Sequence, residues 1–280
     1  MKYFYEKSSE NHYRVGYEIK ENIFSKKNKD GKIEIIENPL LGKMFTLDGF
    51  IHFTEKYEFI FSEMMIHSIM FSHPRPEKVL IISDFDRGIL KEVLKHKSVN
   101  ETYLISENKD AYEAIENNFS DLKLKEISSN PKVKVIFDDS IKYIENFEDY
   151  FDVVIVDSKN PKFKNKDFFK AILKSLTKEG MFSLYSGSFM ENAENIKNDC
   201  KLLKTIFRYK TLIRIPAIEQ IFSDSCIILS SKKINVSEIN LRALTTRFKQ
   251  FRESKNLKYY SPDIHLSSMI LPKFYEKEIK

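Results

Sequence analysis

The feature that most constrains this chain is the stretch 79–88, VLIISDFDRG. Val79 to Ile82 run without a polar interruption, which suits a strand buried on both faces of a parallel sheet. The chain then turns through Ser83-Asp84-Phe85-Asp86-Arg87-Gly88 and continues with Ile89, Val93 and Leu94 at helical spacing. A strand, a tight acidic turn and a helix form the opening unit of a nucleotide-binding α/β domain. In such sheets ligands sit beyond the carboxyl ends of the strands. A site is therefore expected over Asp84, Asp86 and Gly88.

The same alternation continues along the chain. Strands are expected at 79–82, 102–105, 133–137, 151–156, 181–185, 210–215 and 226–231. Helices are expected at 89–95, 110–119, 140–144, 168–176, 193–207 and 238–251, with Gly180 as the stop of the fourth. Strands that alternate with helices make a mostly parallel sheet covered on both faces. Upstream, residues 1–53 read as antiparallel strands: 13–19 and 32–37 alternate around a polar turn at 26–31. The runs 44–47 and 50–53 flank Asp48-Gly49, a hairpin signal. So short a sheet is marginal alone and should pack on the main domain or on a second subunit. Residues 54–71 read as a helix capped by Thr54, with Phe59, Met64, Ile66, His67 and Met70 on a broad buried side. The expected division is a β-hairpin domain over 1–53 and a Rossmann-like catalytic domain over 54–280.

Composition narrows the function classes. The 280 residues, 42% hydrophobic with 23 Phe, can fill a substantial core. The net charge of +5 comes from scattered Lys among 41 acidic residues, a mixed surface rather than a nucleic-acid-binding stripe. The N-terminus has no signal-peptide core, and no apolar run has the length of a membrane span. Cys200 and Cys226 lie far apart, the latter in an apolar run that reads as a buried thiol. The six His show no metal-ligand spacing, so no metal is expected. These features fit a soluble cytoplasmic protein.

Four strand ends carry polar residues. They are Asp84 and Asp86; Ser106-Glu107-Asn108; Asp138-Asp139-Ser140; and Asp157-Ser158-Lys159-Asn160-Pro161. Each Asp alone reads as a helix cap. Converging on one crevice, they make an acidic pocket suited to an amine or sulfonium ligand.

Several motifs together resemble the spermidine synthase family of aminopropyltransferases, in order from about residue 40 to the end. Residues 41–49, LGKMFTLDG, are similar to its GxxLxLDG hairpin. Residues 54–59, TEKYEF, with Glu63-Met64 resemble its TERDEFxYHEM helix. Residues 76–82 and 89–96 flank the place of its GGGDGG loop. Residues 151–158, FDVVIVDS, match its FDVIIVDSSDP strand, and 258–265, KYYSPDIH, with 271–274, LPKF, match its C-terminal tail. The resemblance implies a small N-terminal β-domain on a Rossmann-like methyltransferase-type domain, in a homodimer or higher homo-oligomer. It implies no prosthetic group. The implied reaction moves an aminopropyl group from decarboxylated S-adenosylmethionine, as co-substrate, to putrescine or a similar amine, giving spermidine and methylthioadenosine.

By the same resemblance Asp157 is the catalytic base. His52, Asp86, Gly88, Ser106, Glu107, Asp139 and Ser140 fall at positions that bind the nucleoside co-substrate. Ser62, Asp86, Asp157 and Asn160 fall at acceptor positions. The chain departs from the pattern at several of these. Ser83, Asp84, Phe85 and Arg87 stand for four glycines, and Arg87 brings positive charge beside a cationic ligand. Ser106 stands for the Glu that grips the ribose hydroxyls, and His52 for a Gln. Phe61-Ser62 replace Tyr-His/Gln, Asn160 replaces an Asp, and Ile218 falls near a family Tyr. The lid after Asn160 carries Lys159, Lys162, Lys164 and Lys166, charges that raise the cost of admitting a diamine. Glu219 and Asp224 are candidate replacement carboxylates. Two alternatives to the transferase stay open: a family-fold binding or regulatory protein without turnover, and another S-adenosyl-dependent transferase whose ligand carboxylate pairs with Arg87.

Overall fold

The computed structural model describes residues 2–7, 13–216 and 223–279. Its N-terminal strands are β1 (Lys2–Lys7), β2 (Arg14–Ile19), β3 (Glu21–Asn28), β4 (Gly31–Asn38), β5 (Gly42–Leu47) and β6 (Phe50–Thr54). β1 and β2 form an antiparallel pair, and β3 to β6 a four-stranded meander. Asp48 (φ 51°) and Gly49 (φ 86°) both take the left-handed conformation that a two-residue hairpin turn demands. The polar turn expected at 26–31 is shorter, because β3 pairs with β4 as far as Asn28. Its polar residues serve as ties instead: Lys26 reaches Asp110 at 2.7 Å, and the Asn28 amide donates to Asn108 at 3.1 Å.

The first helix, α1 (Glu58–Met70), begins four residues later than expected, and Thr54 does not cap it. Thr54 ends β6 opposite Met44, and the Glu55 N–H prolongs that pairing to the Lys43 carbonyl at 2.7 Å. Sheet pairing therefore outlasts the cap signal. Nearly every residue of α1 is buried; Phe59, expected inside, is half-buried.

The chain then alternates. It forms β7 (Lys78–Ser83), α2 (Ile89–Leu94), β8 (Glu101–Ser106), α3 (Lys109–Asn118), α4 (Leu124–Ser128), β9 (Val133–Phe137), α5 (Ser140–Ile144) and β10 (Phe151–Asp157). It continues with α6 (Lys166–Ser175), β11 (Leu176–Ser188), α7 (Ala193–Lys204), β12 (Tyr209–Ile215) and β13 (Ser225–Ser231). Helices α8 (Leu241–Gln250), α9 (Pro262–Ser268) and α10 (Lys273–Ile279) complete it. Gly180 is not the helix stop. The chain is already extended at Leu176, where the N–H groups of Asp149 and Tyr150 take the carbonyls of Lys174 and Ser175. The helix expected from 238 starts at Leu241, where the Asn240 side chain accepts from the Ala243 N–H at 2.9 Å.

The main sheet has the order β12-β13-β11-β10-β7-β8-β9, parallel except at β13, which is antiparallel to both neighbours. It is the mostly parallel, helix-covered α/β sheet that the alternation requires. Val79 and Ile81 face one apolar cluster, Leu80 and Ile82 the other. Each such side chain contributes roughly 1.5–3 kcal/mol by leaving water. The first cluster also contains Ile33, Ile35, Phe45 and Phe53, so the meander packs on the main sheet's core. The chain starts in mid-sheet at β7, moves out to β9, and returns on the other side as β10. The β7–β10 boundary is thus the switch point where a crevice opens.

Candidate active site

Parallel pairing of β7 with β10 sets Ser83 beside Asp157. The Ser83 hydroxyl donates to the Phe85 carbonyl and lies 3.1 Å from the Asp157 carbonyl, tying the two strand ends together. Phe85 then turns inward against the rings of Phe45 and His52, with centroids 4.9 and 4.8 Å away. A glycine-poor loop is tolerated here because its bulky residue faces the core between the meander and the sheet.

Asp84 accepts a hydrogen bond from the Ser158 hydroxyl at 2.7 Å, and burial pushes its carboxyl up. Asp86 caps α2, accepting from the N–H groups of Ile89 at 2.7 Å and Leu90 at 3.3 Å. Its second oxygen, Oδ2, is buried without a hydrogen-bond partner. Burial raises the Asp86 carboxyl to about 7 against these backbone bonds, with the Asp157 charge adding to the rise. Gly88 has φ 96°, and a Cβ there would lie 2.7 Å from Glu58 Oε2, so this position needs glycine twice over.

The centre of the crevice is an ion pair. Asp157, 2% exposed, holds Arg87, 3% exposed, through two bonds: Nε at 2.9 Å and a second to the terminal nitrogen. The other terminal nitrogen donates to the His52 carbonyl at 3.1 Å. The guanidinium carbon lies 3.3 Å from the Phe61 ring centroid and 5.4 Å from that of Tyr185. Removing one partner of such a buried pair typically costs about 3–5 kcal/mol. Burial, with the charges of Lys159 and Arg87, holds the His52 imidazole well below its usual range and therefore neutral.

On the far side of β7, Ser106 turns back to the Asp84 carbonyl at 3.0 Å. Glu107 extends across the crevice mouth. It accepts from the Ser140 N–H at 3.0 Å and pairs with Lys162 of the lid. Burial alone would raise the Glu107 carboxyl, but Lys162 and the Ser140 N–H outweigh it and hold it low. Asp139 caps α5, with the N–H groups of Ile141 and Lys142 both at 3.0 Å, and these bonds lower its carboxyl. Strand alternation points Glu107 away from Ser106, and the chain uses that opposite direction to span from β8 to β9 and the lid.

The acceptor-side positions are arranged differently from one another. Ser62 is fully buried and donates to Glu58 at 2.9 Å, and Glu58 pairs with Lys91 of α2 at 2.8 Å. Its neighbour Phe61 is the residue that reaches Arg87. Asn160 caps a single turn, Pro161–Phe163, by accepting from the Lys162 N–H at 3.1 Å. Three of the four lid lysines turn inward, Lys162 to Glu107, Lys164 to Asp199 at 3.3 Å and Lys159 over the Tyr185 ring at 5.8 Å. Asp224 is paired with Arg214 at 2.9 Å. Ile218 and Glu219 lie outside the described residues. The structure thus brings Asp84, Asp86, Arg87 and Asp157 together, with Glu107, Asp139 and Ser140 at one rim. Ser62 is turned from this group toward α2.

Sequence reasoning marked Arg87 as a charge beside a ligand but not as the partner of Asp157, and it marked Tyr185 only as the end of a strand. The partners are 70 positions apart, and no periodicity connects them. Among the described residues no three His, Cys, Asp or Glu side chains gather as metal ligands, and no helix is long and apolar enough to cross a membrane.

Comparison with known proteins points one way. The profile of the "Spermine/spermidine synthase domain" family matches residues 58–241. A polyamine aminopropyltransferase of Hydrogenobaculum sp. is 33% identical over 98% of this chain and 96% of its own length. One from Clostridium kluyveri is 34% identical over 93% of each. A crystal structure of spermidine synthase in complex with the transition-state analogue AdoDATO superimposes with a TM-score of 0.91. It is 28% identical and covers 99% of this chain and 94% of the other.

Proposed function

We propose that this chain, which belongs to the spermine/spermidine synthase family, is an aminopropyltransferase that uses decarboxylated S-adenosylmethionine and a putrescine-like diamine. The observation that carries the reading is the buried carboxylate of Asp157 at the switch point, near Asp84 and Asp86 and paired with a guanidinium that lies over Phe61 and Tyr185. The similarity of whole relatives named polyamine aminopropyltransferase supports it.

The attacking nitrogen displaces the thioether at the carbon beside the sulfonium. A C–N bond forms, the C–S bond breaks with its electron pair passing to sulfur, and the proton of the new ammonium goes to Asp157. The sulfonium charge is thereby discharged as methylthioadenosine. Asp86, with one unpartnered oxygen, would hold the aminopropyl ammonium. Glu107 would accept from the ribose hydroxyls, and Asp139 with Ser140 would meet the nucleobase. Gly88 lets the loop turn close to the nucleoside. In this reading residues 1–53 and 54–280 act as an N-terminal β-domain and a catalytic domain, the chain works in the cytoplasm, and it assembles as a homo-oligomer.

The test is incubation of the purified protein with decarboxylated S-adenosylmethionine and a panel of diamines, read by mass spectrometry. Methylthioadenosine with a matching triamine supports the proposal. Asp157→Asn should abolish transfer while leaving methylthioadenosine binding in place; transfer that persists removes Asp157 as base. The Arg87–Asp157 pair favours a second reading, a binding protein without turnover. Absence of product at enzyme concentrations near those of substrate would select it.

A further inference from the structure

The Arg87 guanidinium bonds both oxygens of the carboxylate to which a substrate amine would bring its proton. An amine that passes its proton to Asp157 must bring its nitrogen to about 3 Å from a carboxylate oxygen. Both oxygens are already engaged, Oδ2 by Nε at 2.9 Å and Oδ1 by the terminal nitrogen of the same guanidinium. The aromatic faces that would receive an organic cation are engaged too, Phe61 at 3.3 Å and Tyr185 at 5.4 Å. The His52 carbonyl fixes a third corner at 3.1 Å. Two of the neighbouring carboxylates are engaged as well, Asp84 by Ser158 and Glu107 by Lys162.

We propose that Arg87 weakens acceptor binding at this site as a built-in cation that competes with the acceptor amine for Asp157. Its side chain arrives from the loop that also caps α2, so it is anchored by the fold and is present at unit occupancy before any ligand enters. A diamine must displace it from two hydrogen bonds and an aromatic stack, and must then share the crevice with the displaced charge. The role of Asp157 as base rests on the aminopropyltransferase reading. The competition itself is a statement about cation binding and can be read without turnover.

The test is calorimetric titration of 1,4-diaminobutane into the full chain, with methylthioadenosine present. Arg87→Gly removes the cation. Arg87→Met removes the charge but keeps an apolar side chain against Phe61, and serves if the glycine variant loses its fold by circular dichroism. Either neutral variant should bind the diamine roughly tenfold more tightly or better. Arg87→Lys, which retains a cation, should stay near the wild type. Methylguanidinium should compete with the diamine in Arg87→Gly and not in the wild-type protein. Diamine affinity that is unchanged or weaker in both neutral variants, with methylthioadenosine affinity retained, overturns the proposal. Tighter diamine binding with no transfer from decarboxylated S-adenosylmethionine would uphold the role of Arg87 and reject the transferase reading alone.

Discussion

Asp86 offers a direct measure of what a buried, half-satisfied carboxylate costs this fold. It is 0% exposed, one oxygen has no partner, and burial raises its carboxyl from 3.8 to about 7. Between those values the unfolded chain releases the proton while the folded chain keeps it. The unfolded state then binds fewer protons, so stability falls as pH rises through this window. At 1.36 kcal/mol per pKa unit the penalty is about 2 kcal/mol at pH 5 and levels off near ~4 kcal/mol above pH 7. Asp86→Asn cannot ionise, and its carbonyl oxygen can still cap Ile89. Its amide would replace the unpartnered oxygen and leave an unmatched donor, a cost of about 1–3 kcal/mol that does not vary with pH. The discriminating quantity is therefore the slope. Urea unfolding of both proteins from pH 5 to 8 should show the variant gaining about 3 kcal/mol on the wild type across the range. A difference that stays flat would mean that Asp86 is ionised throughout, and the account of its burial would be wrong.

Other expectations follow from single contacts. Gly88→Ala forces a side chain into the left-handed conformation and within 2.7 Å of Glu58, which Ser62 and Lys91 hold in place. A loss of about 1–3 kcal/mol in urea is expected, and an unchanged midpoint would contradict it. Glu63, 1% exposed, accepts from the N–H groups of Lys258, Tyr259 and Tyr260, all at 2.8 Å. Glu63→Gln should cost about 2–3 kcal/mol and speed proteolysis after residue 256; equal cleavage rates would deny the clamp its role. Glu107→Gln should weaken methylthioadenosine binding about tenfold if this carboxylate receives the ribose hydroxyls, and equal affinity by calorimetry would remove it from the site.

The parts of the fold legible in the sequence are those written in local patterns. The apolar runs 79–82 and 151–156 cannot stand in water and have no helical periodicity, so they could only be buried strands. Asp48-Gly49 marks its hairpin because a glycine tolerates the left-handed turn. The misplaced boundaries share one cause. Thr54 reads as a cap and Gly180 as a stop, yet Thr54 pairs with Met44 in the meander, and the helix before Gly180 already ends at Ser175, where the N–H groups of Asp149 and Tyr150 take the Lys174 and Ser175 carbonyls. A local signal of about 1 kcal/mol gives way to such pairing.

The candidate site divides in the same way. The strand-end carboxylates were visible because their order along the chain implies their convergence at a switch point. Which of them are charged, capped or engaged was not visible. That Asp86 turns to cap α2, that Glu107 spans to Ser140 and Lys162, and that Arg87 closes on Asp157 depend on the parallel register that sets Ser83 beside Asp157. The sequence alone determined the α/β alternation and the inventory of acidic strand ends, since burial of apolar runs and turn chemistry act over a few residues. Only the tertiary structure decided that Asp157 is paired with an arginine, because the energy of a buried charge depends on which distant group the fold places within 3 Å of it.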